Sequence, residues 1–315
     1  SLTTNIGSVQ NAGIELGVNF GVIRNQNFTW DVNVAFARNW SKIKELPSGD
    51  DVSNNWFIGE RLNVLRDYTY AGVITADGVT MHTINGDKHY TLQEVYDKYG
   101  PKSPNKLKWY EGQMAVNDWN DDGKINDEDK QIYGCTDPKW TGSLSSTMTY
   151  KGFDFSFMLY TKQGQWSRSY FHEQYMDISD RGRQKMSFDY YIPAGTPVLD
   201  KATGDITYLE TPHMGAYPYP NNYEKTGGGY FSKSSSGVRY QKTSFVKVKN
   251  ITLGYTFPKK WMSKIAVKHL RLYVNVLNPF CFTGYDGFDP EWASANLTDG
   301  GPASVTYQIG ANIKF

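Results

Sequence analysis

An acidic loop between Asp118 and Asp129 holds the residue types best suited to chemistry in this sequence. Oxygen-bearing side chains stand at loop positions one, three and five, Gly123 permits a sharp turn, and a main-chain carbonyl follows it. The last position carries an aspartate where the usual pattern has a glutamate. The candidate metal ligands are Asp118, Asn120, Asp122, Lys124 through its carbonyl, and Asp129. The pattern predicts a bound Ca²⁺ that rigidifies the loop, and an Asx-rich turn without metal is the alternative that it leaves open.

Catalytic patterns are absent from the sequence. The five histidines are scattered, and none belongs to an HExxH motif or stands beside a GxSxG elbow. Cys135 and Cys281 lie far apart and no CxxC pair is present, which argues against a cysteine-based metal cluster. The sequence therefore predicts a protein that is not an enzyme.

Apolar and polar residues alternate along about seven segments, and these segments must position any functional loop. The first two carry apolar residues at Ile14, Leu16, Val18, Phe20 and Val22, and then at Phe28, Trp30, Val32, Val34 and Phe36. A period of two predicts β-strands with one apolar face, each close to the ~9–11 residues that cross a bilayer at a tilt. The apolar positions change parity between Val248 and Ile251, which predicts a β-bulge near Lys249.

Short and long connections alternate between these segments. The short turns lie at 24–27, 151–152 and 258–268, and the long connections span about 41–142, 164–243 and 278–304. Short turns on one side and long extracellular loops on the other are typical of outer-membrane barrels. We therefore expect residues 1–315 to be one part of an antiparallel transmembrane β-barrel. Since seven strands cannot close such a barrel, further strands are expected elsewhere in a longer polypeptide or in its assembly.

The composition agrees with a membrane interface and leaves one soluble alternative open. The chain has 23 Tyr, 16 Phe and 9 Trp among 315 residues, and Tyr and Trp are enriched where a membrane meets water. A Tyr-rich β-sandwich that binds carbohydrate would share this composition. The net charge of +1 gives no reason to expect a nucleic-acid partner. The sequence contains no run of about 18 apolar residues, so it predicts no transmembrane helix.

Several blocks, in order along the chain, resemble those of the SusC/RagA-type TonB-dependent outer-membrane proteins. The 5–16 stretch NIGSVQNAGIEL resembles the family's NIGxxxNKGxEL, and the acidic loop followed by Tyr133-Gly134 resembles its DxNGDGxI block. The 245–255 stretch FVKVKNITLGY resembles FLRLKNITLGY, and 287–291, GFDPE, matches the GxDPE of a further block. Asp121 departs from the family pattern, which has glycine there.

This resemblance implies the C-terminal strands of a barrel of about 22 strands in the outer membrane of a Gram-negative bacterium. It also implies a plug domain and a TonB-interacting region that this chain does not contain, and a SusD-like surface lipoprotein as partner. The expected function is TonB-dependent import of an oligosaccharide or a peptide through a barrel embedded in outer-membrane lipid. A structural role in a larger envelope complex and a soluble, calcium-stabilised carbohydrate-binding protein are the alternatives. The sequence does not identify the substrate.

Overall fold

The computed structural model describes residues 7–99, 111–175, 189–219, 239–294 and 303–315. The described residues form seventeen strands, β1–β17, numbered in chain order. The chain divides into two compact units. The first unit, called the sheet unit, comprises 1–64, 135–167 and 242–315; the second, called the inserted unit, comprises 65–134 and 168–241.

The sheet unit is built on one seven-stranded antiparallel sheet in the order β1-β2-β9-β10-β15-β16-β17. Its strands are Ser8–Arg24, Phe28–Glu45, Trp140–Tyr150, Phe153–Gln163, Phe245–Thr256, His269–Thr283 and Thr306–Lys314. Each strand pairs with its predecessor and its successor in this list, so the sheet is a simple meander. The predicted number of strands and the alternation along them are confirmed.

The bulge predicted near Lys249 is present. The register of β15 against both neighbouring strands shifts between Val248 and Asn250, so Lys249 has no directly paired residue on either side. An extra residue in one strand shifts every later side chain of that strand to the opposite face relative to its odd or even number. This explains why apolar residues occupy even positions before the bulge and odd positions after it.

The strands of the sheet extend further than the sequence indicated. β1 and β2 have 17 and 18 residues, and β16 continues past Asn278 to Thr283. The connections between sheet strands consequently run over 46–139, 164–244 and 284–305 rather than the expected 41–142, 164–243 and 278–304. In β2 mostly polar residues continue the extended backbone after the apolar stripe ends, and in β16 the strand continues through Asn278 and Pro279, so hydrophobic alternation alone underestimated the strands. Residues 100–110, 176–188, 220–238 and 295–302 of these connections lie outside the described residues.

The inserted unit has short strands and its own apolar core. The short strands within this unit and at its limits are β3 Val64–Tyr68, β4 Tyr70–Val73, β5 Val79–Thr83, β6 Gly86–Tyr90, β7 Met114–Val116, β8 Lys130–Cys135, β11 Trp166–Arg168, β12 Pro197–Leu199, β13 Ile206–Tyr208 and β14 Tyr240–Lys242. They form two-stranded ribbons, β3-β8, β4-β7, β5-β6, β11-β14 and β12-β13. The buried core consists of Ile74, Val79, Met81, Val95, Tyr99, Ala115, Val116 and Ile125. The sequence predicted only a long loop here, because strands of three to six residues show too few alternations.

The helices are short. They are α1 Leu92–Tyr99, α2 Tyr170–Tyr175 and α3 Lys259–Met262. A capping box begins α1: the Glu94 N–H donates to Thr91 Oγ1 at 3.3 Å, and Glu94 Oε2 accepts from the Thr91 N–H at 2.8 Å. No described helix is long and apolar enough to cross a membrane.

Candidate functional site

One face of the seven-stranded sheet carries apolar side chains that are exposed to the surroundings. Leu16, Leu253 and Ile309 are 57%, 52% and 87% exposed, and they lie on three different strands. A soluble monomer rarely exposes so extended an apolar surface. A sandwich would bury these stripes against a second sheet, whereas the described strands of this unit form a single sheet. The soluble-sandwich alternative is therefore wrong, and the apolar face suits a hydrocarbon solvent.

The opposite face is polar, and ion pairs and hydrogen bonds join its strands. Arg271 on β16 donates from Nε to Asp154 on β10 at 2.8 Å, reaching across the intervening strand β15. Gly254 lies between them, and a Cβ there would come within 2.6 Å of both the carboxylate and the guanidinium. The missing side chain therefore creates the space through which the ion pair forms.

A chain of neutral hydrogen bonds continues this pattern towards the last strand. Thr252 donates to Asn275 at 3.0 Å, and the Asn275 amide donates to Gln308 at 3.0 Å. These bonds connect β15, β16 and β17 on one side of the sheet. In a barrel, the polar face lines the lumen. The polar face of this sheet is accordingly the face that would line the lumen.

A second charged cluster on the polar face was not predicted. Lys247 is only 2% exposed and forms ion pairs with Asp289 and Glu291, which lie in the connection after β16. No local sequence pattern could have found it, because the partners lie more than forty residues apart. The strand pattern of β15 offered the only signal, since Lys247 and Lys249 are its two charged residues.

The acidic loop of the inserted unit folds around the buried carboxylate of Asp118. This side chain is fully buried and accepts hydrogen bonds from the Gly123 N–H at 2.9 Å and from the Tyr99 hydroxyl at 2.7 Å. Asp121 and Gly123 adopt positive φ values of 63° and 83°, which make the sharp turn. Burial, together with the hydrogen bond to Asp118, raises the pKa of Tyr99 and keeps its hydroxyl protonated as a donor.

The other predicted ligands follow the same turn. The Asp122 N–H lies 3.2 Å from Asp118 Oδ1 and 3.1 Å from Asn120 Oδ1, so these two side chains meet at one backbone group. Asp122 Oδ1 accepts from the Lys124 N–H at 2.8 Å. Asp129 is fully buried, and its two oxygens accept from the Asn120 and Asn126 N–H groups. Burial raises the pKa of Asp129, and the backbone N–H groups partly offset this effect.

The donor chemistry of the loop fits a hard cation, although the carboxylates are not gathered around one point. Oxygen donors of this kind suit Ca²⁺. Among the residues that the structure describes, no three His, Cys, Asp or Glu side chains are placed together to hold a metal ion. A bound Ca²⁺ would draw on the Asn120 amide and the Lys124 carbonyl as well as the carboxylates.

Two lysines already lie against this loop. Lys98 Nζ is 3.4 Å from Asp118 Oδ2 and 3.0 Å from the Tyr90 hydroxyl. Lys88 forms an ion pair with Asp121, and the hydrogen bond in that pair lowers the pKa of the Asp121 carboxyl. No local pattern indicates these contacts, since Lys98 and Lys88 precede Asp118 by 20 and 30 residues.

Comparisons with known proteins find relatives that are named as TonB-dependent receptors. The TonB-dependent receptor SusC of Bacteroides thetaiotaomicron is 28% identical over 318 residues, covering 100% of this chain and 27% of SusC. The TonB-dependent receptor P39 of Formosa agariphila is 29% identical over 346 residues, covering 100% of this chain and 31% of that protein. No protein-family model matches the chain.

The chain is homologous to the SusC/RagA-type TonB-dependent receptors. The resemblance inferred from the sequence blocks is thereby confirmed. The fold agrees, because the RagAB peptide transporter superposes with a TM-score of 0.61 at 17% identity over 99% of this chain. RagAB in its closed-closed state gives a TM-score of 0.56. The chain spans less than a third of the length of these SusC/RagA-type relatives.

Proposed function

We propose that the full-length protein is a TonB-dependent importer of the Gram-negative outer membrane and takes up an oligosaccharide or a peptide. Homology over the whole chain to named TonB-dependent receptors carries this proposal. The sheet supports it, because an exposed apolar face and a hydrogen-bonded polar face are what a barrel wall requires. The function is transport rather than catalysis, in agreement with relatives that are named as receptors.

The long connections belong on the extracellular side in this proposal. The three short turns, at 25–27, 151–152 and 257–268, then face the periplasm. A plug domain and a TonB-interacting region are expected in the full-length protein, and a SusD-like lipoprotein is the expected partner at the surface. The family resemblance supports these assignments.

The import proposal is tested by deleting the gene and measuring uptake of two probes, fluorescein-labelled maltoheptaose and a fluorescein-labelled decapeptide. We expect uptake of one probe to depend both on this gene and on TonB. Affinity purification of the tagged receptor should recover a surface lipoprotein in stoichiometric amount. Uptake that persists without the gene contradicts import. A stable envelope complex without any uptake defect would instead favour the structural role.

We also propose that the acidic loop binds Ca²⁺ through Asp118, Asn120, Asp122, the Lys124 carbonyl and Asp129. The buried position of two carboxylates and the positive φ of the turn support it. The ion would stabilise the inserted unit, since Asp118 also bonds Tyr99 of the apolar core.

Thermal unfolding of the purified receptor in CaCl₂ and in EDTA tests this proposal. We expect Ca²⁺ to raise the melting temperature of the native protein and to have no effect on Asp129→Asn. Asp77→Asn is the control, because Asp77 is exposed in the same unit and should leave the response intact. An equal response to Ca²⁺ in the native protein and in Asp129→Asn would refute the assigned ligands.

A further inference from the structure

The apolar face of the sheet becomes cationic towards the C-terminal end of β2. Phe36 is the last residue of the apolar stripe in this strand, and the next three residues of the same parity are Arg38, Trp40 and Lys42. They pair with β1 in unbroken register, so they project from the same face as Phe36. Arg38 stands directly opposite Ile14, which belongs to the exposed apolar stripe of β1. The two cations therefore extend the lipid-facing side of the sheet and not its polar face.

These residues lie where the apolar band of a barrel wall would end. From Phe28 to Phe36 the strand covers ~27 Å, which corresponds to roughly 20 Å of height at the usual tilt of barrel strands. The apolar band of an outer-membrane barrel is about 25 Å tall. Arg38 consequently reaches the upper edge of this band, and Trp40 and Lys42 lie above it. In the orientation proposed above, that edge is the headgroup level of the outer leaflet.

The two outward cations are not neutralised by a carboxylate of the residues that the structure describes. Arg38 and Lys42 are exposed, and the guanidinium carbon of Arg38 lies 5.8 Å from the centroid of the Trp40 ring. At the other end of β1, by contrast, Arg24 forms an ion pair with Asp31 on the polar face. The outward cations thus retain their charge for an anion that approaches from outside the wall.

A cavity opens beside these cations, where β2 exchanges one neighbour for another. β9 pairs with β2 only as far as Ala37, and the segment 59–60 takes its place at Ile43 through two backbone hydrogen bonds of 2.9 Å. The cavity beside this change of neighbour has a volume of about 660 Å³. Two indoles and a guanidinium contribute to its lining, those of Trp40, Trp140 and Arg61.

Arg61 is a third cation at this place, and backbone carbonyls hold it. Its Nη1 donates to the Asp137 carbonyl at 3.2 Å and its Nη2 donates to the Asn39 carbonyl at 3.3 Å. Carbonyl oxygens fix the guanidinium without neutralising it. Asp137 also lines the cavity, and its carboxylate accepts from the Asn63 amide at 3.1 Å. Three cations therefore face one carboxylate that already has a partner, and this balance favours an anionic ligand.

An anionic lipid matches both the cations and the apolar stripe beneath them. The Trp140 ring packs against Phe36 with 5.8 Å between ring centroids, so the cavity is continuous with the stripe. Indole rings favour the level at which acyl chains meet headgroups, and basic pockets at that level bind lipid phosphates. A dissolved sugar or peptide could use the polar groups of the cavity, but it would leave the stripe uncovered.

We propose that Arg38, Trp40, Lys42, Arg61 and Trp140 form a binding site, here called the rim site, for the phosphorylated headgroup of an outer-leaflet lipid. The acyl chains of this lipid lie along the apolar stripe below. The three cations bind the phosphate, and the two tryptophans set the depth of the lipid. This inference rests on the membrane placement within the proposed function, and it concerns the outside of the wall rather than the transported solute.

Native mass spectrometry of the full-length receptor in detergent micelles tests the rim site, with diphosphoryl lipid A as the probe. We expect Arg38→Gln and Lys42→Gln each to raise the dissociation constant roughly fivefold, and the double variant roughly 25-fold, because each loses one cation near the headgroup. Arg38→Lys should retain most of the affinity, since it keeps the charge. Arg24→Gln is the matched control, because this exposed arginine belongs to the polar face.

Two further probes separate the lipid from other ligands. Monogalactosyldiacylglycerol has no phosphate and should bind more weakly than lipid A and equally to all variants. Inorganic phosphate in tenfold excess should not displace lipid A. Displacement by inorganic phosphate would indicate a site for a dissolved anion and would overturn this inference. Binding of the galactolipid as tight as that of lipid A would overturn it as well.

The variants also distinguish this inference from the import proposal. An unchanged dissociation constant in the double variant overturns the rim site alone. If Arg38→Gln lowers the amount of folded receptor, Lys42→Gln still tests the site, because Lys42 lies above the apolar band. Loss of probe uptake with intact lipid binding would overturn import alone. Absence of the folded receptor from the outer-membrane fraction would overturn both.

Discussion

The sheet unit and the inserted unit place their apolar residues in opposite ways. In the inserted unit Met81, Val95 and Ala115 are fully buried in a core, as in a water-soluble domain. In the sheet unit Ile309 is 87% exposed and Lys247 is 2% exposed. One chain therefore carries segments adapted to two solvents. The direction in which side chains are buried, rather than overall hydropathy, distinguishes a barrel wall from a soluble fold.

Truncating the core should affect only the inserted unit. Met81→Ala removes a fully buried side chain and should destabilise that unit by roughly 2–5 kcal/mol. We expect faster proteolysis within 65–134 of the purified receptor, with an unchanged heat-dependent shift of the folded barrel on gels. Ile84→Ala is the control, because Ile84 is 67% exposed. Simultaneous loss of the barrel would show that the two units do not unfold independently.

A charge on the apolar face should affect only the sheet. Leu253→Arg places a cation where hydrocarbon is expected and should cost roughly 2–4 kcal/mol at mid-membrane depth. The measurement is the amount of folded receptor in the outer-membrane fraction, which should fall strongly. Ser156→Arg, on the polar face of the neighbouring strand, should be tolerated. Equal tolerance of both substitutions would contradict the assignment of the two faces.

The sequence predicted the part of this contrast that depends on local periodicity. Alternation over many residues identified both faces of β1 and β2, and the parity change located the bulge at Lys249. The core of the inserted unit was missed because its strands are short and its members are separated by irregular segments. The candidate loop was located from its spacing, but the bond from Tyr99 to Asp118 depends on how α1 packs, which no local pattern encodes.

Ion pairs on the polar face should contribute more to the free energy of unfolding when their side chains are more buried. The side chains of Arg271 and Asp154 are 23% and 24% exposed, whereas those of Arg24 and Asp31 are 71% and 46% exposed. Asp154→Asn should lower the free energy of unfolding by ~1 kcal/mol, and Asp31→Asn by less than that. Urea unfolding of the receptor in lipid vesicles measures both. A larger loss for Asp31→Asn would mean that depth within the wall does not govern these pairs.

The smallest expected effect is a pH dependence confined to the cluster of Lys247, Lys249, Asp289 and Glu291. Burial acts to raise the pKa of Glu291, but the ammonium groups of Lys247 and Lys249 outweigh it and hold that pKa below its usual range. A carboxyl whose pKa falls on folding contributes stability above its unfolded pKa of about 4.3, and loses that contribution as the pH falls through the lower folded value. Hydrogen exchange of residues 284–294 should therefore be slow at neutral pH and faster in acid, after correction for the intrinsic rate.

Glu291→Gln separates this titration from general acid unfolding. The glutamine amide cannot ionise. In this variant the hydrogen exchange of residues 284–294 should therefore already be faster at neutral pH, and it should change less on acidification. Asp77→Asn, in the inserted unit, should leave the profile of 284–294 unaltered. If Glu291→Gln followed the native pH profile, the ionisation of Glu291 would not be what slows exchange in this segment. The cluster would then depend on its more buried pair, since the side chains of Lys247 and Asp289 are 2% and 7% exposed, whereas those of Lys249 and Glu291 are 30% and 19% exposed.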